Sequence, residues 1–227
     1  MSKNEPKKDE LTGVAGVEHA FSTSEAFIEK YLKQILIAVG AVVVLVILAL
    51  AVRNFYIQPR EVRAEREMHS AQMHFANGNF QQALDGDAFG TIGFRAIASE
   101  FRRTKSGNLA AAYAGISYFH LGEYQNAINF LSRFRGRDSH LGIAVIGLIG
   151  DSHVQLGDTQ RAIRYFEQAA NANNDVLSPI YLKKAGLAHE SLGQMDRALR
   201  NFERIRDSFP MSQEAADIEK YIARVSR

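Results

Sequence analysis

Apolar residues fall along this chain in three regimes. From Met1 to about Ala20 they are scattered among Lys3, Lys7, Lys8, Glu5, Asp9 and Glu10, a composition that predicts a solvated, disordered tail. Behind a capping-box signal, Ser22-Thr23-Ser24-Glu25, Phe27, Ile28, Tyr31, Leu32 and Ile35 keep helical spacing and predict a short amphipathic helix at a membrane surface. From Ile35 to Val52 the run ILIAVGAVVVLVILALAV is 18 residues without a charge. As a helix it is about 27 Å long, close to the thickness of a hydrocarbon core. Lys30 and Lys33 precede it, Arg53 follows, and Tyr31, Phe55 and Tyr56 sit where interfacial aromatics belong. Ala49-Leu50-Ala51 resembles a signal-peptide cleavage site, but the charged stretch before the run is too long for one and the run exceeds a usual signal core. A buried core helix would carry a polar stripe. The pattern predicts a tail over residues 1–34, a transmembrane helix over 35–56 and a separate domain over 57–227.

Beyond Gln58-Pro59, which ends the apolar helix, one cadence recurs. It reads Asn77-Gly78-Asn79-Phe80-Gln81-Gln82-Ala83-Leu84, then Leu121-Gly122 to Ile128, Leu156-Gly157 to Ile163 and Leu192-Gly193 to Leu199. The turn glycines are separated by 44, 35 and 36 residues. A period near 34 is that of a stacked helix–turn–helix array. An alanine stands five places after each glycine (Ala83, Ala127, Ala162, Ala198), and a small residue seven before it (Ala71, Gly115, Gly150, Gly186). Glycine inside a helix costs about 1 kcal/mol against alanine, so three at one repeat position predict a close approach of two helices.

The predicted helices begin with Arg60–Ala76, whose partner starts at Phe80 but breaks early in the glycine-rich loop Asp85–Gly93. Phe94–Arg103 follows, with Ser106-Gly107-Asn108 ending it and capping the next. Then come Leu109–His120 with Tyr124–Phe134, Leu141–Gly150 with Arg161–Ala170, and a fourth pair opened by Pro179 and closed by Phe209-Pro210. From Ser212 to Arg227, Ile218, Tyr221, Ile222 and Val225 form one apolar stripe, as the cap of an array requires. The fold is expected to be all-α: a single transmembrane helix, then a solenoid of about four helix pairs and a capping helix.

Composition narrows the chemistry. The 227 residues include no cysteine, which removes disulfides, thiolate metal sites and thiol nucleophiles. A net charge of +2 gives no footprint for nucleic acid. Arg133, Arg135 and Arg137 form a small basic cluster, read as a solvated rim. His74, His153 and His189 recur four residues before a turn glycine, a packing position, and no histidine pair has HExxH spacing. The loop Asp85–Gly93 lacks the glycine spacing of a dinucleotide loop and the carboxylates of a calcium loop. No nucleophile has a plausible partner, so no catalytic, cofactor or metal site is assigned.

The repeated turns, with IEKYLKQILI, QPREVRAEREM, SGNLAAAYAGISY and DIEKYIARV, resemble membrane-anchored bacterial tetratricopeptide repeat proteins of the form found in Bacteroidetes, a family that includes the ancillary subunit of the SecYEG translocon. The resemblance implies a non-enzymatic protein-binding scaffold or chaperone-like factor, with the N-terminus cytoplasmic and the repeats periplasmic. It implies protein partners (the translocon, periplasmic chaperones or envelope proteins), no small-molecule substrate and no cofactor. A permanent structural subunit of a larger membrane complex is the alternative. The charge tally, Lys30 and Lys33 against Arg53, Arg60, Arg63 and Arg66, by itself favours the opposite orientation, but long domains translocate largely regardless of charge. In such arrays the first helix of each pair lines the concave face. By that register the groove here consists of Met68, Gln72, Phe75, Leu109, Ala112, Ile116, Phe119, Asp151, Val154, Ile180, Lys183, Leu187 and Glu190. The same residues could instead pack against neighbouring repeats or the cap.

Overall fold

The computed structural model describes residues 10–88, 90–136 and 140–226, and the chain divides into two compact units, Met1–Tyr56 and Ile57–Arg227. The tail before Glu10, Phe89 of the glycine-rich loop and Arg137 of the basic cluster lie outside the described residues.

In the first unit, helix α1 (Glu10–Ala51) leads into a π-helical stretch, Val52–Ile57. Its stretch from Tyr31 onward is long and apolar enough to cross a membrane, and every residue from Leu32 to Leu50 is exposed. Over residues 10–20 the chain is helical where disorder was expected, because α1 starts at Glu10 and runs straight through Ser22–Glu25. No proline interrupts the chain between Pro6 and Pro59, and a capping signal starts nothing when the preceding turn is already helical.

The second unit is helical throughout, apart from a single bridge between Gly86 and Ile92 among its described residues. Its helices are α2 (Gln58–Ala76), α3 (Phe80–Asp85), α4 (Phe94–Glu100), α5 (Lys105–His120) and α6 (Tyr124–Leu131). They continue with α7 (His140–Gln155), α8 (Thr159–Ala170), α9 (Leu177–Ser191) and α10 (Met195–Ser208), then a 3-10 turn, Gln213–Asp217, and α11 (Ile218–Val225). Each helix from α5 to α10 packs on its neighbours in sequence, which is the stacking of a helix–turn–helix array.

The four recurring turns share one hydrogen-bond geometry. Gly157 donates to Val154 O (2.9 Å) and Asp158 to His153 O (2.9 Å); the equivalent pairs recur at Gly78, Gly122 and Gly193. This is the Schellman closure, which requires a left-handed residue, and the four glycines have φ of 76°, 77°, 77° and 70°. The carbonyl that accepts the wider bond belongs to His74, Tyr118, His153 or His189, the position at which the histidines recur.

The helical glycines have the packing role their spacing predicts. A Cβ added to Gly150 would sit 2.6 Å from the Phe166 ring, one on Gly186 2.3 Å from Phe202, and one on Gly115 2.4 Å from Leu131. Each of those partners stands four residues after the conserved-spacing alanine, itself wholly buried at Ala127, Ala162 and Ala198. A missing side chain on one helix therefore receives a large one from its partner.

Several boundaries differ from the sequence reading: α4 ends at Glu100 rather than Arg103, α7 runs from His140 to Gln155 rather than from Leu141 to Gly150, and α8 opens at Thr159 rather than Arg161. The predicted stop Ser106-Gly107-Asn108 lies inside α5, which starts after Thr104, whose hydroxyl accepts from Gly107 N (2.9 Å). Gly107 is there because α5 crosses the preceding turn closely: a Cβ would lie 2.0 Å from Phe101 O. Helix α6 ends at Leu131 rather than Phe134.

Helix α7 explains its own composition. Val145 and Ile149 enter the core shared with α2 to α6, while Ile143 and Ile146 enter the core shared with α8 to α11. The remaining face carries Leu141, Ala144 and Leu148, all half-buried, with Leu141 and Leu148 packed against the edge of the first core. A helix placed between two cores is apolar on both sides, and this one is apolar on its third side as well.

Candidate protein-binding groove

That third face of α7, together with α5, makes a trough. Ile116, Phe119 and His120 of α5 face Leu141, Ala144, Val145, Leu148 and Asp151 of α7, and Tyr181 of α9 closes the far side, around a cavity of about 320 Å³. Tyr181 reaches this place because α7 has no side chain at Gly147, where a Cβ would lie 1.9 Å from the tyrosine ring. Burial, reinforced by nearby Asp151, pushes the Tyr181 hydroxyl up to about 12, so it stays neutral at physiological pH. Among the described residues Asp151 is the one carboxylate in the lining, and Lys184 Nζ holds it at 2.7 Å. The trough has the composition of a binding surface, mostly apolar with a few fixed polar groups.

The structure brings together Ile116, Phe119 and Asp151 of the residues assigned from sequence. Val154 and Leu187 are exposed, and Ile180 and Leu109 half-buried. Gln72 is half-buried too, while Phe75 is engaged edge-on with Phe80, Phe94 and Tyr113, with ring centroids 5.0 to 6.2 Å apart. Met68 and Ala112 are core residues, 4 % and 0 % exposed, and offer nothing to a partner. Lys183 and Glu190 are taken up by the C-terminal cap, Lys183 bonding Asp217 (2.9 Å) and Glu190 bonding Arg224 (2.6 Å). The cap thus occupies that stretch of α9.

Sequence reasoning missed His120, Leu141, Ala144, Val145, Leu148 and Tyr181. The α7 residues were hidden because LGIAVIGLIG is apolar on every face, so periodicity could not separate the trough side from the two core sides. The recurring histidines are structural: the His153 ring stacks on Tyr165 (centroids 5.3 Å apart), and buried His189 reaches Gln194 Oε1 (2.7 Å) and Glu167 Oε1 (3.0 Å). Burial, outweighing Asp158, lowers the His153 pKa. Among the described residues no three His, Asp or Glu side chains converge.

Residues 148–212 match the family model of the tetratricopeptide repeat. The fold is a tetratricopeptide-repeat helical solenoid. A structure of the MamA protein superposes with a TM-score of 0.52 at 16% identity, over 72% of this chain and 86% of that one. A tetratricopeptide repeat protein from Parabacteroides merdae ATCC 43184 gives 0.57 at 15% identity, over 72% of this chain and 60% of that one. At such identities the likeness is one of fold. No curated protein is matched by the sequence.

Proposed function

We propose that this chain is a membrane-tethered, non-enzymatic scaffold that holds an apolar segment of a partner protein in the trough between α5 and α7. The observation that carries this reading is the third face of α7, whose Leu141, Ala144 and Leu148 stay half-buried at the edge of the first core and line a 320 Å³ cavity with Ile116 and Phe119. Tetratricopeptide arrays are protein-interaction folds, and a trough of this composition suits an extended or helical segment whose apolar side chains supply the affinity. The polar groups, Tyr181 and the Asp151–Lys184 pair, set its direction.

The exposed apolar stretch of α1 supports anchoring. Leu36, Leu45 and Leu48 are 56–65 % exposed, and an apolar surface of this extent is covered by lipid or protein. Tethering confines the trough to a thin layer and raises its effective concentration for partners there. The setting we propose is the bacterial inner membrane with the repeats periplasmic, beside the translocon or envelope-assembly machinery, as the sequence resemblance implies.

The reading is tested with a photo-crosslinking residue at Leu148 in the full chain, and at exposed Met211 (96 % exposed) as a control. Crosslinks to a defined protein at 148 but not at 211, lost in Phe119→Asp while helicity is unchanged, are the expected result. Equal labelling at both positions, or labelling untouched by Phe119→Asp, rules the trough out. Orientation is read by adding protease to spheroplasts. Digestion of the repeats is expected, and full protection would place them in the cytoplasm.

A further inference from the structure

A second surface lies at the end of the helical unit that carries the first turns of α2 and α5. Between Phe101 and Gly136 the chain has Arg102, Arg103, Lys105, Arg133 and Arg135 against a single acid, Glu123, which follows Gly122 at the opposite end of α5. Two hydrogen-bonded supports fix the basic groups. Glu61 of α2 accepts from Lys105 N (2.6 Å), Ser106 N (2.8 Å) and Ser106 Oγ (2.6 Å), which sets the turn behind Arg102. Asn108 donates to Arg135 O and accepts from Arg135 N, both at 2.8 Å, which holds the loop bearing Arg133 and Arg135 beside that turn. Between the two lies a cleft of about 890 Å³ walled by Arg102, Arg133 and Arg135, with no carboxylate among the described residues of its lining. Arg133 lies over the Phe130 ring at 4.3 Å. Among the described residues none of Arg102, Arg103, Arg133 or Arg135 pairs with a carboxylate, whereas Arg161 at the glycine-turn end pairs with Asp158.

We propose that this arginine-walled end docks on the phosphates of an anionic bilayer surface, a proposal that rests on the reading of residues 35–56 as a membrane span. The chain itself favours lipid over a soluble acidic protein. Helix α2 begins at Gln58, six residues beyond Val52, so its first turn stays within about 21 Å of the end of the apolar run even if the link were fully extended. Arginine forks match phosphate oxygens two at a time, and each base near an anionic leaflet contributes about fivefold in partition. Three arginines then contribute about a hundredfold. Docking would hold the repeat unit against the membrane rather than leave it swinging on its tether.

The test uses the full chain in nanodiscs of phosphatidylcholine, alone or mixed with phosphatidylglycerol. Amide exchange is followed in residues 101–108 and 131–136. With the anionic lipid, exchange there slows about tenfold and recovers in high salt. The variant Arg102→Glu/Arg133→Glu/Arg135→Glu, all exposed positions, loses the slowing with its helicity unchanged. Equal exchange in both lipids, or slowing that survives the triple variant, overturns the proposal. The same slowing produced by inorganic phosphate in neutral discs overturns it in favour of a soluble anion, and slowing that requires an added acidic protein does so in favour of that partner. Flotation with neutral vesicles reads the membrane span separately. If the chain does not float there, the arginine end must still bring it to anionic vesicles, and failure of that second flotation sinks the docking surface as well.

Discussion

The regular repeats and the first repeat solve one packing problem in two ways. In α5/α6, α7/α8 and α9/α10 a glycine on the first helix receives Leu131, Phe166 or Phe202 from the second. The corresponding place in the first repeat, four residues after Ala83, is Asp87. It is polar and half-buried; its carboxylate meets His74 Nε2 at 3.2 Å and accepts from Thr91 N at 3.3 Å. With no large apolar residue to insert, α3 stops at Asp85 and the chain detours through Gly86–Gly93. Helix α4 then adds Phe94 and Ile97, both wholly buried, to the core of this end of the array. The irregular repeat thus has a polar clasp where the regular ones have a packed side chain, and α4 contributes to the core beside it.

The contrast is broken or sharpened by substitutions at matched positions, read as urea denaturation of the full chain in detergent. Phe202→Ala or Phe166→Ala should cost about 3–5 kcal/mol, because each leaves a void against a helix that has no side chain to fill it. Gly186→Val or Gly150→Val should cost about 1–3 kcal/mol by overpacking against the same ring. Asp87→Ala should cost about 1 kcal/mol, the worth of a clasp of hydrogen bonds on a half-buried loop. If Asp87→Ala costs as much as Phe202→Ala, the two repeats are not built differently.

Acid should separate the two regions more gently. Burial lowers the His153 pKa, so its contribution is complete above the ordinary histidine value near 6.5 and is lost as pH falls through the lower folded value. Burial opposes ionisation of Glu61, but the Ser106 hydroxyl and the Lys105 and Ser106 amides outweigh it and hold the carboxyl below its usual range. Its contribution is present above the ordinary glutamate value near 4.3 and lost as pH falls through the folded one. Hydrogen exchange against pH should therefore show α7 and α8 loosening first and the α2–α5 contact giving way only in stronger acid. Simultaneous loosening would mean the two sites share one cooperative unit.

Much of the repeat geometry could be read directly. Gly78, Gly122, Gly157 and Gly193 announce left-handed closures because few other residues accept that backbone. Gly115, Gly150 and Gly186 announce close helix approach because a helix tolerates glycine badly. The trough was less legible. Its Ile116 and Phe119 followed from register, but Leu141, Ala144 and Leu148 sit in a run where every position is apolar, and Met68 and Ala112 face inward although the register placed them on the groove. Nor did charge reveal that Lys183 and Glu190 would meet Asp217 and Arg224, since an ion pair across 34 residues depends on where the cap packs.

By itself the sequence determined the helical period, the turns, the uncovered apolar run and the position of the irregular repeat. All of these are written in local spacing and in the backbone preferences of glycine, alanine and proline. The tertiary structure alone decided which side of α7 stayed half-buried at the trough, and which charges the terminal helix would consume. Those outcomes turn on competition between distant segments for the same surface, and no local pattern records who wins it.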